Sequence, residues 1–169
     1  EEPLSLDPEL ARSLRGAVGI GAVKYADLMQ NRTSDYKFDW DKLIAFSGNA
    51  GPYIQYMHAR CCSLFRKGEV DPKTLLGDFR FVHERDQALA RHLLKLSDAI
   101  HSAAEQSNPH YICQHLYDLA VLVSGFWEHC PVLKSEDAIR LSRLALIDLS
   151  RRQLALGLGL MGIDAPSRM

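Results

Sequence analysis

The sequence is poor in the residues and patterns that mark several specialised classes of protein. Its 169 residues include 7 prolines, 11 glycines and 4 cysteines, and 47% are hydrophobic. This composition excludes a disordered acidic segment, a collagen-like repeat and a disulfide-stabilised miniprotein. Every apolar run ends well before the ~18 residues that a membrane-spanning helix needs. We therefore predict a soluble globular protein with a hydrophobic core and no membrane partner.

Neither positive nor negative charge is in large excess. Lys plus Arg total 20 against 21 for Asp plus Glu, which gives a net charge of −1. Such a balance provides no overall electrostatic attraction to a polyanion, and DNA is not expected as a partner. If the chain binds nucleic acid, recognition must depend on local sites.

Signatures of metal sites and disulfide frameworks are missing as well. The cysteines form one adjacent pair and two isolated residues, a pattern that favours reduced thiols inside the cell. The histidines near them lack the spacing of zinc ligands, so we predict no metal site. The residues concerned are Cys61, Cys62, Cys113, Cys130, His58, His115 and His129.

No catalytic motif occurs in the chain. A nucleophile elbow and a phosphate-binding loop are absent, and the glycines of Gly19–Gly21 lie within a helical pattern instead of following a strand. A group of acidic residues alternates with arginines, which is typical of a solvated helix face. That group is Asp78, Glu84 and Asp86 with Arg80 and Arg85. We assign no catalytic residue.

Helix-forming residues dominate, and alternating β-branched runs are almost absent, so we predict an all-α fold. One apolar stripe, at steps of three and four residues from Ile112 to Phe126, requires a helical partner. The predicted helices cover about 8–30 (one or two helices broken by glycines), 39–46 with Asp39 as the cap, 52–67, 81–106 (one helix or a pair), 109 to about 130, and 135–162.

The helix predicted at 52–67 carries the most informative pattern. Tyr53, Tyr56 and Arg60 are spaced i, i+3 and i+7, which places two phenols and a guanidinium on one face. Such a face suits exposed RNA bases, and Arg66 and Lys67 add positive charge for phosphates. The alternative is that the tyrosines are packing residues with satisfied hydroxyls.

Two features nearer the end of the chain also have two interpretations. Arg140, Arg143 and Arg151 share a broad face of the last helix and would suit phosphate contacts. They would equally suit surface ion pairs with the acidic residues Glu136, Asp137 and Asp148. Trp127 is either a core residue or an exposed stacking platform.

Six segments along the chain resemble arginyl-tRNA synthetase in that family's order, and together they span almost the whole sequence. They are GIGAVKYADL (19–28), DYKFDW (35–40), GPYIQYMHAR (51–60), HLYDLA (115–120), RLAL (143–146) and GIDAPSRM (162–169). The resemblance implies a class I aminoacyl-tRNA synthetase, which activates arginine with ATP and magnesium and esterifies it to tRNA in the cytoplasm. It also implies that residues 51–169 form the helical anticodon-binding domain called DALR, and that residues 1–50 connect it to the catalytic region.

The family's two nucleotide-binding motifs, HIGH and KMSK, do not occur in this sequence. We therefore expect a carboxy-terminal piece that depends on an upstream catalytic domain, which would also account for the missing initiator Met. By itself this piece should be inactive and bind no cofactor.

The resemblance assigns anticodon-loop contacts to five positions by motif. They are Tyr53, Tyr56, Arg60, Trp127, where the family often has tyrosine, and the final residue Met169. Every arginine codon has G in the middle, so every arginine tRNA has a middle anticodon cytosine. We expect aromatic rings to stack that base and polar groups to hydrogen-bond its edge.

Two other interpretations remain open from the residues. The chain is alternatively a noncatalytic helical module whose aromatic face binds a protein, or the anticodon domain of another class I synthetase. Without the catalytic region, Leu28, Trp40, Leu43 and Phe46 are expected to lack partners in this piece and to favour association.

Overall fold

The computed structural model describes residues 7–35, 39–75 and 79–169, and all regular secondary structure in these ranges is helical. The predicted all-α fold is therefore confirmed. Predictions about Glu1–Pro3, about residues 36–38 of the DYKFDW segment and about Asp78 lie outside the described residues. The helices are α1 (Pro8–Leu28), α2 (Trp40–Leu43), α3 (Gly51–Gly68), α4 (Glu84–Leu93), α5 (Leu96–Glu105), α6 (His110–His129) and α7 (Asp137–Leu160).

Side-chain caps mark the starts of α1, α2 and α4. The side chain of Asp39 accepts hydrogen bonds from the backbone amides of Asp41 and Lys42 and caps α2 as predicted. Helix α2 ends at Leu43, however, three residues before the predicted end. Helix α3 ends where Glu69 adopts a left-handed conformation with φ of 49°. The predicted helix at 81–106 is a pair, since the chain turns at residues 94–95.

Helix α6 lies at the centre of the fold. It packs against α1, α3, α4, α5 and α7. The predicted stripe supplies its core face, because all five of its residues are buried in one cluster with apolar side chains of α3 and α7. The stripe comprises Ile112, Leu116, Leu119, Val123 and Phe126.

Glycines do not break α1, which runs without interruption and packs directly on α3. A Cβ added at Gly51 would lie 2.8 Å from the carbonyl oxygen of Gly21 and 2.9 Å from the Cβ of Tyr25. The buried hydroxyl of Tyr25 has one proton and two acceptors within hydrogen-bond distance, the carbonyl of Cys113 at 3.0 Å and Oδ1 of Asn49 at 2.7 Å. These contacts hold α1 against both α3 and α6.

A buried ion pair joins the start of α4 to α7. Nε of Arg143 lies 3.1 Å from Oδ1 of Asp86, and the side chains are 7% and 0% exposed. The other carboxylate oxygen accepts from the amides of Val82 and His83 at 3.0 and 2.9 Å. Both predictions for this pair were therefore wrong: Asp86 does not lie on a solvated face, and Arg143 is not available to a phosphate.

The expectation that four apolar residues lack partners was wrong for Leu28 and Leu43. Trp40 and Phe46 are 65% and 57% exposed, whereas Leu43 is buried and Leu28 packs against the core. The difference arises because α2 packs on α1, which covers one side of the short helix. None of the helices in the described ranges is long and apolar enough to cross a membrane.

Two buried imidazoles stack between α4 and α6. The rings of His92 and His115 are 4.5 Å apart at an angle of 9°. His92 donates through Nε2 to the carbonyl of His115, 3.0 Å away, and Nε2 of His115 lies 3.2 Å from Oε1 of Gln153. Burial lowers the pKa of His115, and the neighbouring His92 lowers it further.

Stability should therefore fall in mild acid. The unfolded chain takes up the proton as the pH drops through about 6.5, whereas the folded chain resists it because the pKa of His115 is lowered. The free energy of unfolding should be at its full value above about pH 7 and decline below pH 6.5. Urea unfolding at several pH values measures this. His115→Gln should weaken the decline, and the surface replacement His101→Gln should leave it intact; identical pH profiles for both would contradict the assignment.

Candidate nucleic-acid interface

An arginine side chain lies against two aromatic rings on the surface formed by α3 and α6. The guanidinium carbon of Arg60 is 4.6 Å from the ring centroid of Trp127 and 5.7 Å from that of Tyr56. Tyr56 and Arg60 are one turn apart on α3, and Trp127 lies in the last turn of α6. We call Tyr56, Arg60 and Trp127 the stacking cluster. Cation–π contact holds its three planar groups together.

Tyr53 and Tyr56, which were predicted to share one role, lie in different environments. The ring of Tyr56 is 37% exposed and faces solvent beside Arg60. Tyr53 is half-buried with its ring 6.3 Å from that of Tyr117, and burial raises its pKa. The packing interpretation therefore describes Tyr53, and the exposed-face interpretation describes Tyr56.

Phe46 is a neighbour of the cluster that sequence reasoning missed. Its ring meets that of Tyr56 edge to face, with centroids 6.5 Å apart at 89°. The spacing rule applied to α3 does not reach it, because Phe46 belongs to the loop between α2 and α3. The signal that the sequence offers is a phenylalanine directly before the glycine- and proline-containing segment 47–52.

The end of the chain lies next to the stacking cluster. Arg168 and Met169 line a cavity of about 350 Å³ together with residues of α3. The structure thus brings Met169 to Tyr56 and Arg60, which precede it by 113 and 109 positions along the chain. The α3 residues that line the cavity are Tyr56, Ala59, Arg60, Ser63 and Arg66.

The basic residues predicted to face phosphates lie in different environments. Arg66 lies at the cavity and donates to the carbonyl of Ser167, 2.9 Å away, while Lys67 is exposed nearby on α3. On α7, Arg140 pairs with Asp137 at 2.9 Å and Arg151 with Asp148 at 2.6 Å. For these two arginines the structure agrees with the alternative of carboxylate pairing.

The cavity is positively charged although the whole chain is not. Arg60, Arg66 and Arg168 line it, and no acidic side chain does so among the described residues. The indole Nε1 of Trp127 is buried and has no hydrogen-bond partner within the described part of the chain. In the same ranges no three His, Cys, Asp or Glu side chains converge as metal ligands do. Exposed π faces with local positive charge suit stacking on a base and contact with a phosphate.

Two protein families match the chain. Residues 54–169 match the family described as the DALR anticodon binding domain, and this match includes almost all of α3 through α7. Residues 5–40 match the catalytic domain of class I (R) tRNA synthetases.

Curated relatives carry the same assignment. The arginine–tRNA ligase of Sodalis glossinidius (strain morsitans) is 51% identical over 162 residues, covering 95% of this chain and 28% of that protein. The arginine–tRNA ligase of Haemophilus ducreyi is 45% identical over 153 residues, covering 90% of this chain and 27% of that protein. The chain thus spans less than a third of the length of these relatives.

Solved structures agree with the sequence relatives. The arginyl-tRNA synthetase of Thermus thermophilus superposes with a TM-score of 0.83 at 32% identity, covering all of this chain and 29% of that one. The Plasmodium falciparum enzyme gives a TM-score of 0.82 at 30% identity and covers 93% of this chain. The resemblance to arginyl-tRNA synthetases is confirmed, and the chain belongs to the family of the DALR anticodon binding domain.

Proposed function

We propose that this chain binds the anticodon loop of arginine tRNA and is the anticodon-binding part of an arginine–tRNA ligase. The observation that supports this most directly is the stacking cluster, in which Arg60 lies against Tyr56 and Trp127 beside the cavity lined by Met169. The family match over residues 54–169 gives the same class of ligand. All five predicted contact residues remain in the proposal, with Tyr53 supporting the surface from a half-buried position.

The middle anticodon cytosine is the base we assign to this surface. An unstacked base would lie on the planes of the stacking cluster, where a stacked base contributes about 1 to 3 kcal/mol. Arg66, Lys67 and Arg168 would approach the neighbouring phosphates. Because the net charge is only −1, we assign few phosphate contacts and expect modest salt dependence.

The remaining functions belong to the whole ligase. We propose that activation of arginine with ATP and magnesium occurs outside these 169 residues and that the isolated chain charges no tRNA. Residues 1–50 would connect the anticodon domain of 51–169 to the catalytic region, which the family match over 5–40 supports. A cytoplasmic location, where protein synthesis takes place, completes the proposal.

Exchange of one base tests the proposed function. The chain should bind an anticodon stem-loop of arginine tRNA, and replacing its middle cytosine with uracil should weaken binding by about 1 to 3 kcal/mol, since the edge contacts would be lost. Replacing a stem base pair by another pair serves as the control and should change affinity little. Titration at fixed salt with a labelled stem-loop measures both.

Two outcomes would contradict the proposal. Equal affinity for the cytosine and uracil loops would mean that the domain does not read this base. Absence of RNA binding, with a protein ligand on the aromatic face, would favour the interaction-module alternative.

A further inference from the structure

Residues 162–169 follow α7. After the turn that ends this helix they form no further helical hydrogen bonds, and they lie along α3. Backbone carbonyls that lack a helical partner need other donors. Side chains of α1 and α3 provide them. The donors are Lys24 to Gly162 (2.5 Å), Gln55 to Asp164 (2.8 Å), His58 to Pro166 (3.0 Å) and Arg66 to Ser167 (2.9 Å).

The first half of this segment is anchored in the core. Ile163 is buried, and the fully buried amide of Gln55 donates both to Asp164 and to the carbonyl of Ala17 in α1 at 3.1 Å. A Cβ added at Gly21 would lie 2.8 Å from that amide nitrogen and 3.1 Å from Cγ2 of Ile163. The path of residues 162–164 is therefore set by close packing.

The second half is held differently. Hydrogen bonds to the carbonyls of Pro166 and Ser167 come from His58 and Arg66. His58 is buried, and because a carbonyl only accepts, Nδ1 must carry the proton. Its other nitrogen lies 3.6 Å from Sγ of Cys62, so the neighbouring thiol completes the contacts of the ring.

Together these contacts determine where the last residues lie. Three positions after Pro166, Met169 reaches the cavity beside Tyr56 and Arg60. Helix α3 thus carries Tyr56 and Arg60 of the stacking cluster and also His58, whose buried side chain holds the segment. Loss of the His58 contact would free Met169 without removing an aromatic ring of the cluster.

We propose that His58, assisted by Arg66, is a positioning residue that holds residues 165–169 so that Met169 closes the cavity of the anticodon surface. This inference rests on the proposed function, and it assigns His58 to RNA affinity although its side chain does not line the cavity. The imidazole acts through the 162–169 segment alone.

Replacement of His58 by leucine tests the proposal. His58→Leu should lower affinity for the cytosine stem-loop on the order of tenfold, about the effect of one lost hydrogen bond to a buried donor. His58→Asn keeps a side-chain N–H close to the position of Nδ1 and should restore most of the affinity. His101→Leu on α5 is the matched control at an exposed position. Urea unfolding identifies any variant that fails to fold.

A double-mutant cycle separates positioning from a general structural role. Deleting Arg168 and Met169 should weaken binding, and His58→Leu should cause no further loss in the shortened chain. Losses that multiply in full would overturn the proposal, because they would show that His58 acts by another route. Loss of affinity in His58→Asn as large as in His58→Leu would overturn it too.

A measurement without RNA distinguishes this proposal from the proposed function. NMR of the methyl-labelled Met169 side chain should show contacts to Tyr56 in the unaltered chain and their loss in His58→Leu. If Met169 stays in place in the variant, the positioning role is wrong whatever the RNA does. If Met169 is released and affinity is unchanged, the role in RNA binding is wrong. If the unaltered chain shows the contacts but binds no stem-loop, the proposed function is wrong, and the role of His58 in RNA affinity is wrong with it.

Discussion

Replacing Arg60 with alanine is expected to lower the affinity of the chain for an arginine anticodon stem-loop by about 1 to 3 kcal/mol, roughly 5- to 150-fold. The guanidinium lies 4.6 Å from the Trp127 centroid and 5.7 Å from that of Tyr56, so its removal separates two rings that it now joins. It also removes a cation from a cavity that no acidic side chain of the described residues lines. Titration of a fluorescently labelled stem-loop at constant salt measures the loss.

Two further variants show whether shape or charge produces the effect. Arg91, an exposed arginine of α4, is the matched control, and Arg91→Ala should change affinity by less than about twofold because surface charges contribute little. Arg60→Lys keeps the charge and loses the planar group. If Arg60→Lys binds as tightly as the unaltered chain, stacking is not the role of Arg60. If Arg60→Ala and Arg91→Ala behave alike, the stacking cluster is not the binding surface.

The largest effect on stability is expected at the buried ion pair. Asp86→Ala should lower the free energy of unfolding by about 3 to 5 kcal/mol, because it leaves the buried guanidinium of Arg143 without its carboxylate. The same change removes the acceptor for the amides of Val82 and His83 at the start of α4. Since domains are typically stable by about 5 to 15 kcal/mol, much of the stability would be lost. Urea unfolding followed by circular dichroism measures the difference.

The exposed pair on α7 is the matched control. Asp137→Ala removes the carboxylate 2.9 Å from Arg140, but in solvent this should cost no more than about 1 kcal/mol. Replacing both buried partners, as in Asp86→Leu with Arg143→Met, should recover a large part of the loss because no charge then remains buried. Equal destabilisation by Asp86→Ala and Asp137→Ala would show that burial does not determine the energy of the pair.

Helical periodicity predicted the fold well where the residues of a single helix carried the whole apolar pattern. The α6 stripe had spacings of three and four residues, and all of its members are buried. Prediction was weaker at 81–106, where the pattern continues through residues 94–95 although the helix does not. Leu94 and Lys95 are both helix formers, so no local residue marked the turn that lets α4 and α5 each pack on α6.

At the candidate site, too, spacing within one helix predicted part of the arrangement, and contacts between elements decided the rest. Spacing placed Tyr56 and Arg60 on one face of α3, and the structure agrees. Spacing also placed Tyr53 with them, but the width of an exposed face depends on the neighbouring helix, and Tyr117 of α6 covers the Tyr53 ring. Trp127 and Phe46 join the surface from other elements, which periodicity within α3 does not describe.

By itself the sequence determined the helical class, the core stripe and the aromatic and basic face of α3, because these depend on residues within a few turns of one another. Only the tertiary structure decided which charges are buried and how residues 162–169 reach the cavity. Asp86 and Arg143 are 57 positions apart. In the sequence nothing distinguishes Arg143 from Arg140 and Arg151, and it is the packing of α4 against α7 that buries it with Asp86. The 162–169 segment has no periodicity, and its path follows from donors on α1 and α3 that its carbonyls require.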